Sequence, residues 1–473
     1  MDDFNEESNY EFNEIFELIK KYEEAEIKNN SVYFEEDSFE QIIDFYLENR
    51  EYKRALNATE NALYLYPKST TLLLKKAEIL AEQNQFHQAL AILDEGLILQ
   101  PNHVAFYLLR ADVYLGLGDH TKALEAVNIA LENAFLQEDY CDIYLLKADI
   151  FEDQEDYENV IVALKEAIKA EPENYEAFSR MWYCIEILEL FKESISYHQS
   201  IVDQHPYNSP AWFNLGHAFF ELGDFDKAIE ALEYSVAIDE YFDTAYFFIG
   251  EAYFHIAQYN KALEGYLDAV KYAKPTKEIH VKIADCYTQL SEINKARLHL
   301  RKAINIDPQF DMAHYKLAEL YKLENDYDLA LKSIQRAIKK DPENILFIGS
   351  IADCYMLLDK IEEAIPFLQK RLSLNNTESD FYIELSLAYN QIGDIENSIT
   401  TINEAIEIFS DQPELHYIKF LMLYRQNYLK EAYVVFEEAI SLNFSAHELV
   451  FSLEPELKTN EMILSIIDAH NPN

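Results

Sequence analysis

Three side chains near the middle of the sequence are of the types that bind a transition metal: His217, Glu251 and His255. Glu251 and His255 are four residues apart, which is one helical turn, and His217 precedes Glu251 by 34 residues. Two imidazoles and a carboxylate are zinc ligands. Because 13 histidines are scattered along the chain, such neighbours also arise by chance. A metal-dependent activity is therefore the weakest of three alternatives for the function.

Other catalytic signatures are absent from the sequence. It contains no glycine-rich phosphate loop, no nucleophile elbow and no HExxH helix. The sequence therefore predicts a protein that is not an enzyme, with no catalytic residue, no metal site and no cofactor.

The elements that carry these side chains repeat with a period of 34 residues. Alanines follow this spacing at positions 228, 262, 296, 330 and 364. A fixed period of this length predicts a solenoid of stacked repeats. A three-residue insertion, Glu138–Tyr140, interrupts the period once. The twelve expected repeats start at residues 36, 70, 104, 141, 175, 209, 243, 277, 311, 345, 379 and 413.

Each repeat is predicted to be a helix, a turn and a second helix. In residues 209–242, two segments with helical apolar spacing are separated by Leu222, Gly223 and Asp224. Gly223 suits a helix end that needs a positive φ, and Asp224 is expected to cap the second helix. Prolines end the second helix in several repeats because proline cannot continue the hydrogen-bond ladder.

The pattern Trp212-x-x-Leu215-Gly216-x-x-Phe219, followed by Ala228 and Leu232, resembles the tetratricopeptide repeat family. The resemblance covers residues 36–446. It implies an all-α, right-handed α-solenoid superhelix in which the first helix of each repeat lines the concave face. We expect an acidic helical segment or cap at residues 1–35 and a cap helix within 447–473. Trp182 and Phe420 are large at position 8, which holds a small residue in most repeats, and this predicts splayed or repacked helix pairs there.

The formal charge is −47, from 86 acidic and 39 basic residues. This charge disfavours nucleic acid and anionic membranes as partners. It permits basic partners, and it also keeps a long solenoid soluble. No secretory signal and no long apolar span is visible, so we expect a cytoplasmic protein, and the composition is typical of a bacterial chain. The four cysteines are expected to be buried, without a disulfide or zinc pattern.

Position 9 of the repeats is mostly acidic. Eight of the twelve residues there are carboxylates, which we call the position-9 column: Asp44, Glu78, Asp112, Asp149, Glu251, Asp285, Glu319 and Asp353. Between its two halves stand Tyr183 and His217. The family resemblance implies that this position faces the concave groove, so the column is either a surface for basic partners or a solubilising feature.

Aromatic residues occupy further groove positions in the middle repeats: Tyr183, Phe213, Phe220, Phe247 and Phe254. They are either anchors for side chains of a partner or packing residues between neighbouring helices.

The leading hypothesis is a scaffold or adaptor that binds basic or aromatic-containing protein segments along an acidic groove. The alternative is a self-associating structural protein, and the oligomeric state is open. Some members of the family clamp a terminal carboxylate with lysine and asparagine. Position 5 holds no lysine here and position 9 holds no asparagine, so we expect no such clamp.

Overall fold

The computed structural model describes residues 15–25 and 33–471. These residues form an all-α helical-repeat solenoid, and no β-strand occurs among them. The chain divides into two compact bodies, which we call the N-terminal body, Met1–Ala245, and the C-terminal body, Tyr246–Asn473. None of the described helices combines the length and the apolar character needed to cross a bilayer.

The N-terminal body consists of antiparallel helix pairs in chain order. A first helix, α1, occupies residues 15–25 of the predicted N-terminal helix, and the rest of that prediction lies outside the described residues. The next twelve helices are α2 (Glu36–Glu48), α3 (Tyr52–Leu65), α4 (Thr70–Glu82), α5 (Phe86–Leu99), α6 (Val104–Gly116), α7 (His120–Asn133), α8 (Gln137–Glu152), α9 (Tyr157–Ala170), α10 (Tyr175–Ile187), α11 (Phe191–Gln204), α12 (Ser209–Glu221) and α13 (Phe225–Ile238).

The C-terminal body continues the same arrangement, and its first helix begins three residues before the division. Its paired helices are α14 (Asp243–His255), α15 (Tyr259–Tyr272), α16 (Lys277–Gln289), α17 (Ile293–Ile306), α18 (Asp311–Leu323), α19 (Tyr327–Lys340), α20 (Ile345–Leu357), α21 (Ile361–Leu374), α22 (Ser379–Gln391), α23 (Ile395–Ile408), α24 (Glu414–Arg425) and α25 (Leu429–Leu442). Two 3₁₀ helices, Phe444–His447 and Pro455–Thr459, alternate with α26 (Glu448–Leu453) and α27 (Glu461–His470).

Three of the turns between paired helices have glycine at a residue with positive φ, and nine other described residues with positive φ are not glycine. Gly118, Gly223 and Gly393 have φ values of 73°, 77° and 80°, a region that glycine enters without steric cost. Asp119 accepts a cap hydrogen bond from the backbone of Lys122. The predicted cap at Asp224 is wrong: its carboxylate accepts from Lys227 Nζ at 2.5 Å and makes no cap bond.

Small residues let the paired helices approach closely. A Cβ on Gly216 would lie 2.7 Å from Leu232 Cγ, so any larger residue would force the helices α12 and α13 apart. The four cysteines are buried and free, as expected.

The two oversized residues have different outcomes. Around Trp182, α10 and α11 meet far less extensively than other paired helices, as the splaying prediction requires. Phe420 is instead fully buried between α24 and α25, with its ring 4.7 Å from that of Phe436. That pair is repacked rather than splayed, because the aromatic core beside Phe420 absorbs the larger side chain.

The insertion of three residues lengthens a helix. α8 spans 16 residues, whereas the other first helices of the pairs have 12 or 13. The Glu138–Tyr140 insertion therefore lies within α8. Leu146 follows the insertion in the sequence, and it still faces the preceding helix pair.

Candidate functional site

The position-9 column of the N-terminal body is partly matched by basic side chains of the same chain. Asp44 on α2 forms an ion pair with Lys75 on α4. Asp149 on α8 lies 2.7 Å from the Arg180 guanidinium of α10. Arg180 also reaches Glu152 at 3.1 Å and Glu176 at 3.2 Å, so three carboxylates surround it.

The C-terminal body repeats this arrangement on consecutive pairs. Lys282 Nζ lies 2.7 Å from Glu251, and Lys316 Nζ lies 2.9 Å from Asp285. Glu251 is only 9% exposed, and the Tyr266 hydroxyl also donates to it. The position-9 carboxylates that we treated as a free acidic surface are therefore largely engaged within the chain.

These contacts share one spacing. Five of the position-9 carboxylates are met by the residue 31 positions later, which is position 6 of the next repeat. Where that residue is Ser350, its hydroxyl donates to Glu319 at 2.6 Å. Where it is Glu384, Asp353 pairs instead with Lys322 at 3.1 Å. We call the contact between a position-9 carboxylate and position 6 of the next repeat the inter-repeat pair.

Two consecutive carboxylates lack the inter-repeat pair. Opposite Glu78, position 6 is Leu109, and opposite Asp112, after the insertion, it is Leu146. These four side chains line a cleft of about 370 Å³ between α4, α6 and α8. We call it the Glu78–Asp112 cleft.

The C-terminal body has a counterpart built from the same repeat positions. A cleft of about 380 Å³ is lined by two consecutive column residues, Asp285 and Glu319, with Leu320 and Leu323 beside them. We call it the Asp285–Glu319 cleft. Here position 6 is Lys316, so the cleft already contains a cation paired with Asp285.

Desolvation raises the pKa of matched members of the column, such as Asp149 and Asp285, and of unmatched ones alike. Desolvation in the cleft raises the pKa of Glu78 above its usual value, with Asp44 and Glu82 adding to the rise and Lys75 opposing it. Desolvation also raises the pKa of Asp112, and Glu82 adds to that rise. A cation entering the cleft would lower both pKa values and relieve this cost.

Two of the predicted groove residues of the N-terminal body, Phe213 and His217, are packing residues. Phe213 is 3% exposed, with its ring 4.8 Å from Phe242 and 5.3 Å from Trp182. His217 is buried, accepts a hydrogen bond from Trp182 Nε1 at 3.1 Å, and has its pKa lowered to about 4 by desolvation. Burial contradicts the use of Phe213 and His217 as exposed anchors.

The other aromatic candidates keep part of their surface. Tyr183 is 55% exposed and borders a cleft of about 430 Å³ that Arg180 also lines. Phe220 contacts Phe225 edge-on and stays partly exposed. In the C-terminal body, Phe247 packs on Tyr266, and Phe254 lines the Asp285–Glu319 cleft.

The zinc hypothesis finds no support in the structure. Across residues 15–25 and 33–471, no group of three or more histidine, cysteine, aspartate or glutamate side chains could hold a metal ion. Two of the three proposed ligands are also engaged elsewhere, His217 with Trp182 and Glu251 with Lys282 and Tyr266.

Sequence reasoning missed the position-6 residues that decide which carboxylates are matched. Lys75, Arg180, Lys282 and Lys316 all stand 31 residues after a column member. Comparing position 9 with position 6 of the next repeat would have found them. It would also have marked Leu109 and Leu146 as exceptions.

Comparison with protein families identifies the repeats. Models described as tetratricopeptide repeat match residues 74–134, 142–174, 209–242, 312–344 and 379–412, and one described as TPR repeat matches 284–324. Comparison with curated proteins finds no significant match.

Solved structures with a similar fold are distant in sequence. The APC/C hetero-tetramer Cut9-Hcn1 is 14% identical, covers 83% of this chain and 97% of its own, and has a TM-score of 0.41. A tetratricopeptide repeat protein from Parabacteroides merdae is 16% identical, with coverages of 53% and 98% and a TM-score of 0.40. The MamA protein is 23% identical, with coverages of 36% and 94% and a TM-score of 0.33.

Proposed function

Because the chain carries tetratricopeptide repeats, we propose that it is a non-catalytic scaffold that binds segments of other proteins. The segments carry basic side chains together with aromatic or aliphatic ones, and they lie in an acidic groove formed by the first helices of the repeats. A cytoplasmic location, a bacterial origin and the count of about twelve repeats stay predictions from the sequence.

One observation carries the basic character of the partner. Most of the position-9 column is matched within the chain, yet Glu78 and Asp112 share a leucine-walled cleft that contains no basic residue. A net charge of −47 extends the attraction beyond the cleft. Such a field raises the association rate with basic segments and disfavours acidic ones.

The engagement of the reactive side chains supports a non-catalytic role. His217 is buried with its pKa lowered to about 4, and burial raises the pKa of the Cys286 thiol to about 12. A neutral imidazole held by Trp182 and an un-ionised thiol offer neither a general base in the groove nor a nucleophile.

Selection from a random peptide library tests the proposal. The full chain, immobilised at low salt, should enrich peptides rich in lysine or arginine with aromatic or aliphatic neighbours. The same selection at high salt should lose that enrichment, because screening weakens attraction between exposed charges. Enrichment of acidic peptides, or none beyond the unselected library, would contradict the proposal.

A further inference from the structure

We propose that the Glu78–Asp112 cleft receives a lysine or arginine side chain of the bound protein segment, which takes the place that a position-6 cation occupies elsewhere in the chain. The inference rests on the proposed function and names the subsite that selects the basic residue. Leu109 and Leu146 are then specificity-determining residues, because they leave that place without a charge.

The chain itself shows what a position-9 carboxylate binds. The ammonium groups of Lys75, Lys282 and Lys316 meet such carboxylates across neighbouring repeats, and so does the Arg180 guanidinium. The backbone positions are equivalent, so at Glu78 and Asp112 a leucine stands where the chain elsewhere provides a cation. An added cation there would reproduce a contact that the fold already makes four times.

The basic side chains near the Glu78–Asp112 cleft form ion pairs with other carboxylates. Lys75 pairs with Asp44, Lys76 with Glu60 at 3.3 Å, and Arg110 with Asp94 at 2.7 Å. Among residues 15–25 and 33–471, no basic side chain therefore forms an ion pair with Glu78 or Asp112.

The walls of the cleft suit the stem of a long basic side chain. Leu74, Leu108, Leu109 and Leu146 offer apolar surface, and the carboxylates of Glu78 and Asp112 lie within the same cleft. Lysine and arginine bury their methylene stems on apolar surface while the charged head reaches polar groups. The planar guanidinium of arginine can donate two parallel hydrogen bonds to one carboxylate, which favours arginine over lysine in this cleft.

Reciprocal binding measurements test the inference. The probe is a short, capped, fluorescent peptide in which arginine alternates with serine–leucine pairs. Its partner peptide carries citrulline, a neutral isostere, in place of each arginine. Fluorescence anisotropy with the full chain should show binding of the arginine peptide and at least about tenfold weaker binding of the citrulline peptide.

Leu109→Lys is the decisive variant, because it supplies the missing cation from within the chain. It should weaken binding of the arginine peptide about tenfold or more. Ile418→Lys is the matched control: it adds the same charge at position 6 of a later repeat, where the facing position-9 residue is Leu387. Ile418→Lys should change the affinity by less than about twofold.

The melting temperatures of the two variants test the inference even if one of them folds poorly. The new lysine at position 109 faces the carboxylate of Glu78, whereas the new lysine at position 418 faces Leu387. Leu109→Lys should therefore lower the melting temperature clearly less than Ile418→Lys does. Equal losses would show that the cleft does not accept a cation and would overturn the inference.

The outcomes separate the inference from the proposed function. If the arginine peptide binds the native chain and Leu109→Lys leaves its affinity unchanged, the inference fails and the scaffold proposal stands. If neither peptide binds and the library selection enriches nothing, the scaffold proposal fails as well. Concentration-dependent dimers in light scattering that Leu109→Lys abolishes would assign the cleft to a second copy and overturn the inference.

Discussion

The Glu78–Asp112 cleft and the Asp285–Glu319 cleft are built on the same repeat positions and differ at both position-6 residues, where the first cleft has leucines in place of Lys316 and Ser350. Both set two consecutive position-9 carboxylates among leucines. The C-terminal body supplies Lys316 between them, and the N-terminal body has Leu109 at that place. Column carboxylates that have their inter-repeat pair stabilise the fold, whereas Glu78 and Asp112, which lack it, are available to a partner.

Replacement of Arg180 should cause the largest loss of stability, because its guanidinium pairs with three carboxylates. Arg180→Met leaves Asp149, Glu152 and Glu176 without their shared cation. Loss of these charge-assisted hydrogen bonds should lower the free energy of unfolding by about 2 kcal/mol. Urea denaturation followed by circular dichroism measures it.

Arg110→Met is the control for that change, since Arg110 pairs only with the exposed Asp94. It should cost at most about 1 kcal/mol. Equal losses of stability in the two variants would show that the inter-repeat pairs stabilise the fold no more than an ordinary surface ion pair does.

Lys316→Leu should leave one unmatched carboxylate, Asp285, in the C-terminal cleft, while Glu319 keeps its contacts with Ser350 and Lys322. Removing the cation leaves Asp285 unmatched and should cost about 1 kcal/mol of stability. It should also create a second binding site for the arginine peptide, visible in calorimetry as an increase in the number of peptides bound per chain. An unchanged stoichiometry would show that one unmatched carboxylate alone does not make a binding site.

Acid should weaken peptide binding through the two unmatched carboxylates. Because desolvation raises the pKa of both Glu78 and Asp112, they lose their charge at a higher pH than free carboxylates, which titrate near ~4. Affinity for the arginine peptide should therefore fall as the pH drops through these raised values. Anisotropy titrations across mildly acidic pH check this, and an affinity that stays flat down to ~4 would contradict it.

Asparagine in place of Asp112 should give the smallest effect, a slight stabilisation of the free protein. The folded-state pKa of Asp112 lies above the unfolded value of ~3.9, so the ionised group opposes folding at neutral pH. Asp112→Asn should raise the melting temperature at pH ~7, and the gain should vanish below ~4, where the carboxyl is protonated in both states.

Asp411→Asn, in an exposed turn, controls for the loss of one negative charge. It should leave the melting temperature almost unchanged at either pH. A gain equal to that of Asp112→Asn would assign the effect to net charge instead of to the cleft.

The fold was predictable from the sequence because each packing position is reused. The spacing within residues 209–242 predicts two helices with a glycine turn, and α12, α13 and Gly223 with its positive φ correspond to them. Asp224 stands at the N-cap position of α13 without a cap hydrogen bond, whereas Asp119 makes that bond and also binds its own lysine three residues later, so residue type alone does not decide the bond.

The site was less predictable because it depends on contacts between repeats. The family resemblance implies that Phe213 faces the groove, yet Phe242 and Trp182 cover its ring. The role of Leu109 emerges only when position 6 is set against position 9 of the preceding repeat. Periodicity within one repeat carries no information about that pairing.

Photo-crosslinking tests the central claim most directly. The arginine peptide, with one leucine replaced by photo-leucine, is irradiated with the full native chain, and the adducts are located by mass spectrometry. The adducts should be concentrated on α4, α6 and α8, and they should be lost in the Leu109→Lys variant. Adducts that fall on the C-terminal body, or that persist in Leu109→Lys, would contradict the claim that the interrupted pairs form the binding site.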